Sequence, residues 1–136
     1  MHRLIYQTNQ LNKMNHVELL NDTLAFYGAD TSRRAMGIGG SCQYLAPNGN
    51  ECAFGRLILP GKYDKGFEGN SADILLDSYK GLFPDWVYKL NRDWCDELQL
   101  LHDHGEYWGP EKGLTSLGQS AFDTLMEKAA ALDAAT

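Results

Sequence analysis

The chain has no long apolar run: nothing in it approaches the roughly 20 hydrophobic residues of a bilayer-spanning helix, so a helical membrane anchor is excluded. Cysteine is scarce and odd in number, three in all, which closes no disulfide framework and suits free thiols in a reducing compartment. Proline is equally sparse, with four residues and no Pro/Ser-rich stretch to mark a linker between domains. The opening residues Met1 to Tyr6 continue into Gln7, Thr8, Asn9 and Gln10, without the apolar core and cleavage site of a secretory signal. A cytoplasmic address is therefore expected. No lysine or arginine stripe runs along any segment, and phosphate contacts normally dominate nucleic-acid affinity, so direct nucleic-acid binding is not expected.

What is present is an ordinary globular composition, 43% hydrophobic and 22% charged over 136 residues, enough for one domain with its own core. The net charge of −6 is unevenly spread: residues 1–50 carry four basic and three acidic side chains, residues 51–136 eight basic and fifteen acidic. Within 93–106 there are five carboxylates, Asp93, Asp96, Glu97, Asp103 and Glu106, and no Lys or Arg. These five are the candidate partner-binding residues, since such a face attracts a basic surface on another protein. A local role competes for three of them. Asp93, Asp96 and Glu97 lie near the start of an expected helix, where they complement its dipole.

The patterning predicts a mainly α fold with a small β-hairpin, a compact single domain of four to five helices over residues 14–136, preceded by a flexible or loosely docked arm, 1–13. The first helix starts at Asn15, which with Glu18 forms a capping box, carries Val17, Leu20, Leu24 and Tyr27 at helical spacing, and stops at Gly28. Asp30 caps a short turn, cut off by Gly37, Gly39 and Gly40. Further on, Asn91 caps a helix bearing Trp94, Leu98 and Leu101, with Leu90 and Cys95 as a hydrophobic staple and Gly105 as its stop. A last helix begins near Thr115 or Ser116, where Ser116 and Gln119 read as a capping box and Leu114 as a staple, and carries a broad apolar stripe of Ala121, Phe122, Leu125, Met126, Ala129 and Leu132.

The hairpin is expected around Pro47-Asn48-Gly49, a tight reversal between Ser41–Leu45 and the apolar run Cys52 to Ile58. Periodicity leaves that second run open between a returning strand and a buried helical turn. Cys42 and Cys52, ten residues apart, have a spacing compatible with meeting across the reversal. With His102 they are the candidate metal ligands, for zinc, which takes about four ligands in a structural site; His104 points some 200° away from His102 on a helix and does not share an ion with it. Otherwise no cofactor is expected, and buried cysteine acts as a small hydrophobe. A cysteine-dependent hydrolase using Cys42 or Cys52 with His102 needs an orienting acid, and Asp103, adjacent in sequence, is expected to point elsewhere. The Gly37-Ile38-Gly39-Gly40 run lacks the spacing of a phosphate loop or a dinucleotide fold.

The set Cys42-x-Tyr44, Gly49-x-x-Cys52-Ala53-x-Gly55-x-Leu57-Ile58, then Leu98-Gln99-x-Leu101-His102-Asp103 and Trp108, resembles small uncharacterised proteins encoded by bacteriophages and prophages. The resemblance spans roughly 41–108. It implies a mostly helical domain with a small hairpin and, for a phage-encoded protein, a host or viral partner inside the host cytoplasm; it brings no catalytic residues. The resulting expectation is a non-enzymatic accessory protein that binds, and by binding inhibits, a host defence or nucleic-acid-processing protein through the acidic surface. The alternatives are a zinc- or cysteine-dependent hydrolase around Cys42, Cys52, His102 and Asp103, and a structural assembly subunit.

Overall fold

The computed structural model describes residues 13–36 and 43–135. Four α-helices appear among them: α1 (His16–Ala29), α2 (Ala72–Ser78), α3 (Arg92–Asp103) and α4 (Ser116–Ala134). Helix α4 packs on both α1 and α3, and α2 packs on α3. The remaining described residues form short 3-10 turns and irregular segments. No helix among the described residues is long and apolar enough to cross a membrane.

Local chemistry sets the helix starts. Asn15 accepts the Glu18 amide while Glu18 reaches back to the Asn15 amide, the expected capping box. Asn91 Oδ1 accepts from Trp94 N at 2.9 Å, and Leu90 and Cys95 are both buried beside it. Two termini differ from expectation. Helix α1 runs through Gly28 to Ala29, and Gly28 uses its carbonyl to accept the Gly113 amide at 2.8 Å, with no left-handed backbone. Helix α4 is capped by Thr115, whose hydroxyl accepts from Gly118 N at 3.1 Å, so Ser116 is its first residue and not its cap.

The mainly α architecture stands, but the expected β-hairpin does not. The Pro47-Asn48-Gly49 reversal forms, with Gly49 at φ +90°, Ala46 N donating to Asn50 O at 2.8 Å and one isolated antiparallel bridge between Leu45 and Glu51. Pairing ends there for two reasons. On one side, the Tyr44 and Leu45 amides both donate to the Glu68 carboxylate, at 2.8 and 3.2 Å, and not to a neighbouring strand. On the other, the chain after Cys52 coils into a 3-10 turn at Gly55–Leu57, with Arg56 N on Cys52 O and Leu57 N on Phe54 O, both at 3.0 Å. Residues 52–58 are continuously buried as that turn. Gly55 lies directly over Tyr44: a Cβ there would sit 2.0 Å from the Tyr44 carbonyl oxygen.

The core is aromatic and tied by specific polar bonds. Trp94 Nε1 donates to Leu125 O at 3.3 Å and Trp108 Nε1 to Leu101 O at 2.9 Å, joining α3 to α4 and to the loop after α3. Tyr27 packs edge-on against His102, ring centroids 4.8 Å apart, and its hydroxyl donates to Glu51 O. The guanidinium of buried Arg56 stacks over Phe26 at 4.1 Å and pairs with Asp22 at 3.1 Å. The arm over 1–12, the Gly37–Gly40 run and Cys42 lie outside the described residues.

Candidate functional site

The five carboxylates of 93–106 do not form one continuous face. Asp96 and Asp103, seven residues apart on α3, point to the same side and line a cleft between α3 and the segment 68–72. Glu97, on the other side, is held by Lys128 of α4 at 2.7 Å. Glu106 lies beyond the helix, paired with His104 Nδ1 at 2.8 Å, and Asp93 is exposed at the helix start. The sequence grouping thus contains two cleft residues and three that serve elsewhere on the surface.

The cleft is about 440 Å³ and is lined by Gln43, Tyr44, Glu68, Asp96, Gln99 and Asp103 together with Asn70 and Leu100. Among the described residues its lining holds three carboxylates and no Lys or Arg. Each carboxylate accepts at least one hydrogen bond that fixes it in place. Asp96 Oδ1 accepts from Asp73 N at 3.0 Å at the start of α2, and Asp103 Oδ1 accepts from Gln99 Nε2 at 2.9 Å. Glu68 anchors the 44–45 backbone and takes the Tyr63 hydroxyl at 2.6 Å. The donors nearby are spent inward, Tyr44 Oη donating to Asn70 O at 2.6 Å. Gln43 Oε1 is buried without a hydrogen-bond partner, one more acceptor in the lining. Burial raises the Asp96 pKa above its ordinary value, against the Asp73 amide bond that lowers it; the Asp73 and Asp93 charges add to the rise. The site is acceptor-rich.

The candidate metal and thiol residues sit deeper. His102 is fully buried; its Nε2 accepts the Ala35 amide at 3.2 Å, which places its proton on Nδ1, bonded to Asp103 Oδ1 at 2.8 Å. The expectation that Asp103 points away from His102 is thereby corrected. Asp103 is the last residue of α3, where the two side chains fold toward each other as the helix ends, and Arg34 clamps this terminus by donating to His102 O and Asp103 O at 2.7 and 2.9 Å. Burial holds the His102 pKa below its ordinary value, against the pull of Asp103. Cys52 is buried, its sulfur accepting from Gly55 N at 3.3 Å, and burial pushes its thiol pKa far up, away from the thiolate a nucleophile needs. Among the described residues no group of three His, Cys, Asp or Glu side chains is placed to hold a metal ion; Cys42, the third candidate ligand, lies outside them.

The sequence reading missed Glu68, Gln99 and Gln43 as cleft residues and Leu100 as its edge. Leu100 carried a signal: it falls off the buried stripe of Trp94, Leu98 and Leu101, and it is 51% exposed. Glu68 gave none, because its role depends on a loop crossing that has no local signature. Comparison with protein-family models, curated proteins and solved structures found no match.

Proposed function

We propose that this protein is a binding module that holds a basic segment of another protein, with the α3 cleft receiving an arginine or lysine side chain. The observation that carries the reading is the convergence of Glu68, Asp96 and Asp103 on one concavity whose lining, among the described residues, includes no Lys or Arg. A cleft of one charge sign with low-dielectric walls focuses field and steers an oppositely charged partner. The acidic balance of residues 51–136 adds to that field at longer range. In the phage or prophage setting that the resemblance implies, the partner is a host or viral protein, and occupation of its basic surface is how inhibition would arise.

The test uses a defined probe, a peptide of about a dozen residues in which arginine pairs alternate with leucine pairs, and its citrulline-for-arginine analogue, which keeps the shape and removes the charge. Asp96→Asn with Asp103→Asn keeps an oxygen for the Asp73 amide and for His102. The double variant is expected to weaken arginine-peptide binding about tenfold, roughly 1.4 kcal/mol, and to flatten its salt dependence. Equal affinity of wild type and variant, or of the arginine and citrulline peptides, would remove the cleft from the account.

A further inference from the structure

Asn48 is followed by Gly49, and no other asparagine of the chain precedes a glycine. Pro47, Asn48 and Gly49 are all exposed at the tip of the reversal. A Cβ built on Gly49 would meet nothing within 4 Å, so the tip stands clear of the described fold. An asparagine holds its amide carbon within one five-membered ring of the next residue's backbone nitrogen, and such intramolecular placement replaces a bimolecular encounter. A side chain on the next residue obstructs that approach. Glycine has none.

The fold adds a polarising bond. Asn50 N donates to Asn48 Oδ1 at 3.0 Å, so an N–H already sits where negative charge develops when the side-chain amide is attacked. Gly49 N is spent on Ala46 O at 2.9 Å, and this bond at the exposed tip must open before the nitrogen can turn on Asn48. Asn50 and Asn70 are placed differently. They precede Glu51 and Ser71, and their Nδ2 groups donate to Ser32 O at 2.8 Å and to Gly66 O at 3.0 Å.

We propose that Asn48 is a site of spontaneous covalent modification, converting to isoaspartate and aspartate through a cyclic imide with water as the co-reactant. Gly49 N gives its proton to hydroxide and bonds to Asn48 Cγ; the Cγ–Nδ2 bond breaks, and the nitrogen leaves as ammonia with a proton from water. Water then opens the imide. Cleavage between the Asn48 backbone carbonyl carbon and Gly49 N leaves the chain running through Cγ as isoaspartate, and cleavage at Cγ leaves aspartate. In sum, a neutral amide and one water become a carboxylate and ammonium, with no change of oxidation state. The isoaspartate form places an extra methylene in the backbone of the reversal, which the Ala46–Asn50 bond and the Leu45–Glu51 bridge close. The site is independent of the proposed binding function.

The folded protein is incubated at about pH 8 and digested, and its peptides are separated by mass spectrometry, with isoaspartate detected by enzymatic methylation of its free α-carboxylate. Conversion at Asn48 is expected to exceed that at Asn50 and Asn70 at least about tenfold, with isoaspartate the larger product and the rate rising with pH. Gly49→Ala is expected to slow it about tenfold, and Asn48→Gln, whose ring would be one atom larger, to bring it down to the level at Asn50. Equal conversion at the three asparagines, or in Gly49→Ala and wild type, would overturn the proposal. So would an unmodified Asn48 in the folded protein under conditions where a peptide of residues 44–53 converts.

Discussion

His102 is the residue whose protonation state the fold dictates. Its Nε2 accepts the Ala35 amide and its Nδ1–H is spent on Asp103, with Tyr27 against the ring and the Arg34 and Arg56 cations nearby disfavouring a second proton. A folded-state pKa below the unfolded value of 6.5 means that the unfolded chain binds more protons as pH falls, so the stabilisation is full above about 6.5 and is lost progressively below it. Thermal melts from pH 7.5 to 5.5 are expected to show a falling midpoint, and His102→Gln, less stable at neutral pH by roughly 2 kcal/mol, a shallower fall. An identical slope in the variant would show that another group controls the acid side. Gly55 makes a sharper residue-scale prediction. Because a Cβ would lie 2.0 Å from the Tyr44 carbonyl, Gly55→Ala is expected to cost about 3 kcal/mol or more in urea unfolding. Gly49→Ala, strained only by its φ of +90° with open space around it, is expected to cost about 1 kcal/mol. The glycine inside the Cys52–Ile58 run was visible in the sequence; what it crosses was not, since Tyr44 comes over it only after Glu68 has taken the 44–45 amides.

At the scale of elements, the start of α1 is held by the end of α4. Asp133 accepts from His16 N, His16 Nδ1 and Val17 N at 3.0, 2.8 and 2.9 Å, and His16 Nε2 accepts the Asn91 amide at 3.0 Å, so one histidine ties three helices together. Burial alone would raise the Asp133 pKa, but the Val17 and His16 bonds outweigh it and hold the carboxyl below its ordinary 3.8. Asp133→Ala is expected to lower stability by about 1–3 kcal/mol and to speed amide exchange in the first turn of α1. Unchanged exchange there would show that the latch is not what holds α1. The caps at Asn15 and Asn91 were legible because a cap is written within four residues. The latch was not, because Asp133 and His16 are 117 positions apart and each is unremarkable locally. The same difference explains the hairpin: the turn chemistry of Pro47-Asn48-Gly49 was local and correct, whereas strand pairing depended on distant competition from Glu68.

For the whole molecule, composition pointed to the acidic side of the chain, and the fold sorts that acidity by location. Asp96 and Asp103 converge with Glu68, while Glu97 and Glu106 are occupied by Lys128 and His104. In the proposed reading α3 is the recognition element, with the acceptors of the cleft on one flank and Leu100 at the cleft's edge. On the proposed function, α3 and its cleft, and not negative charge at large, recognise the basic partner. Amide shift mapping of the isotope-labelled protein titrated with the arginine–leucine peptide tests that most directly. Perturbations are expected to gather at 43–45, 68–72 and 96–107, with Glu18, Asp123 and Glu127 unmoved. Shifts spread over those exposed acids of α1 and α4 as strongly as over α3 would contradict it.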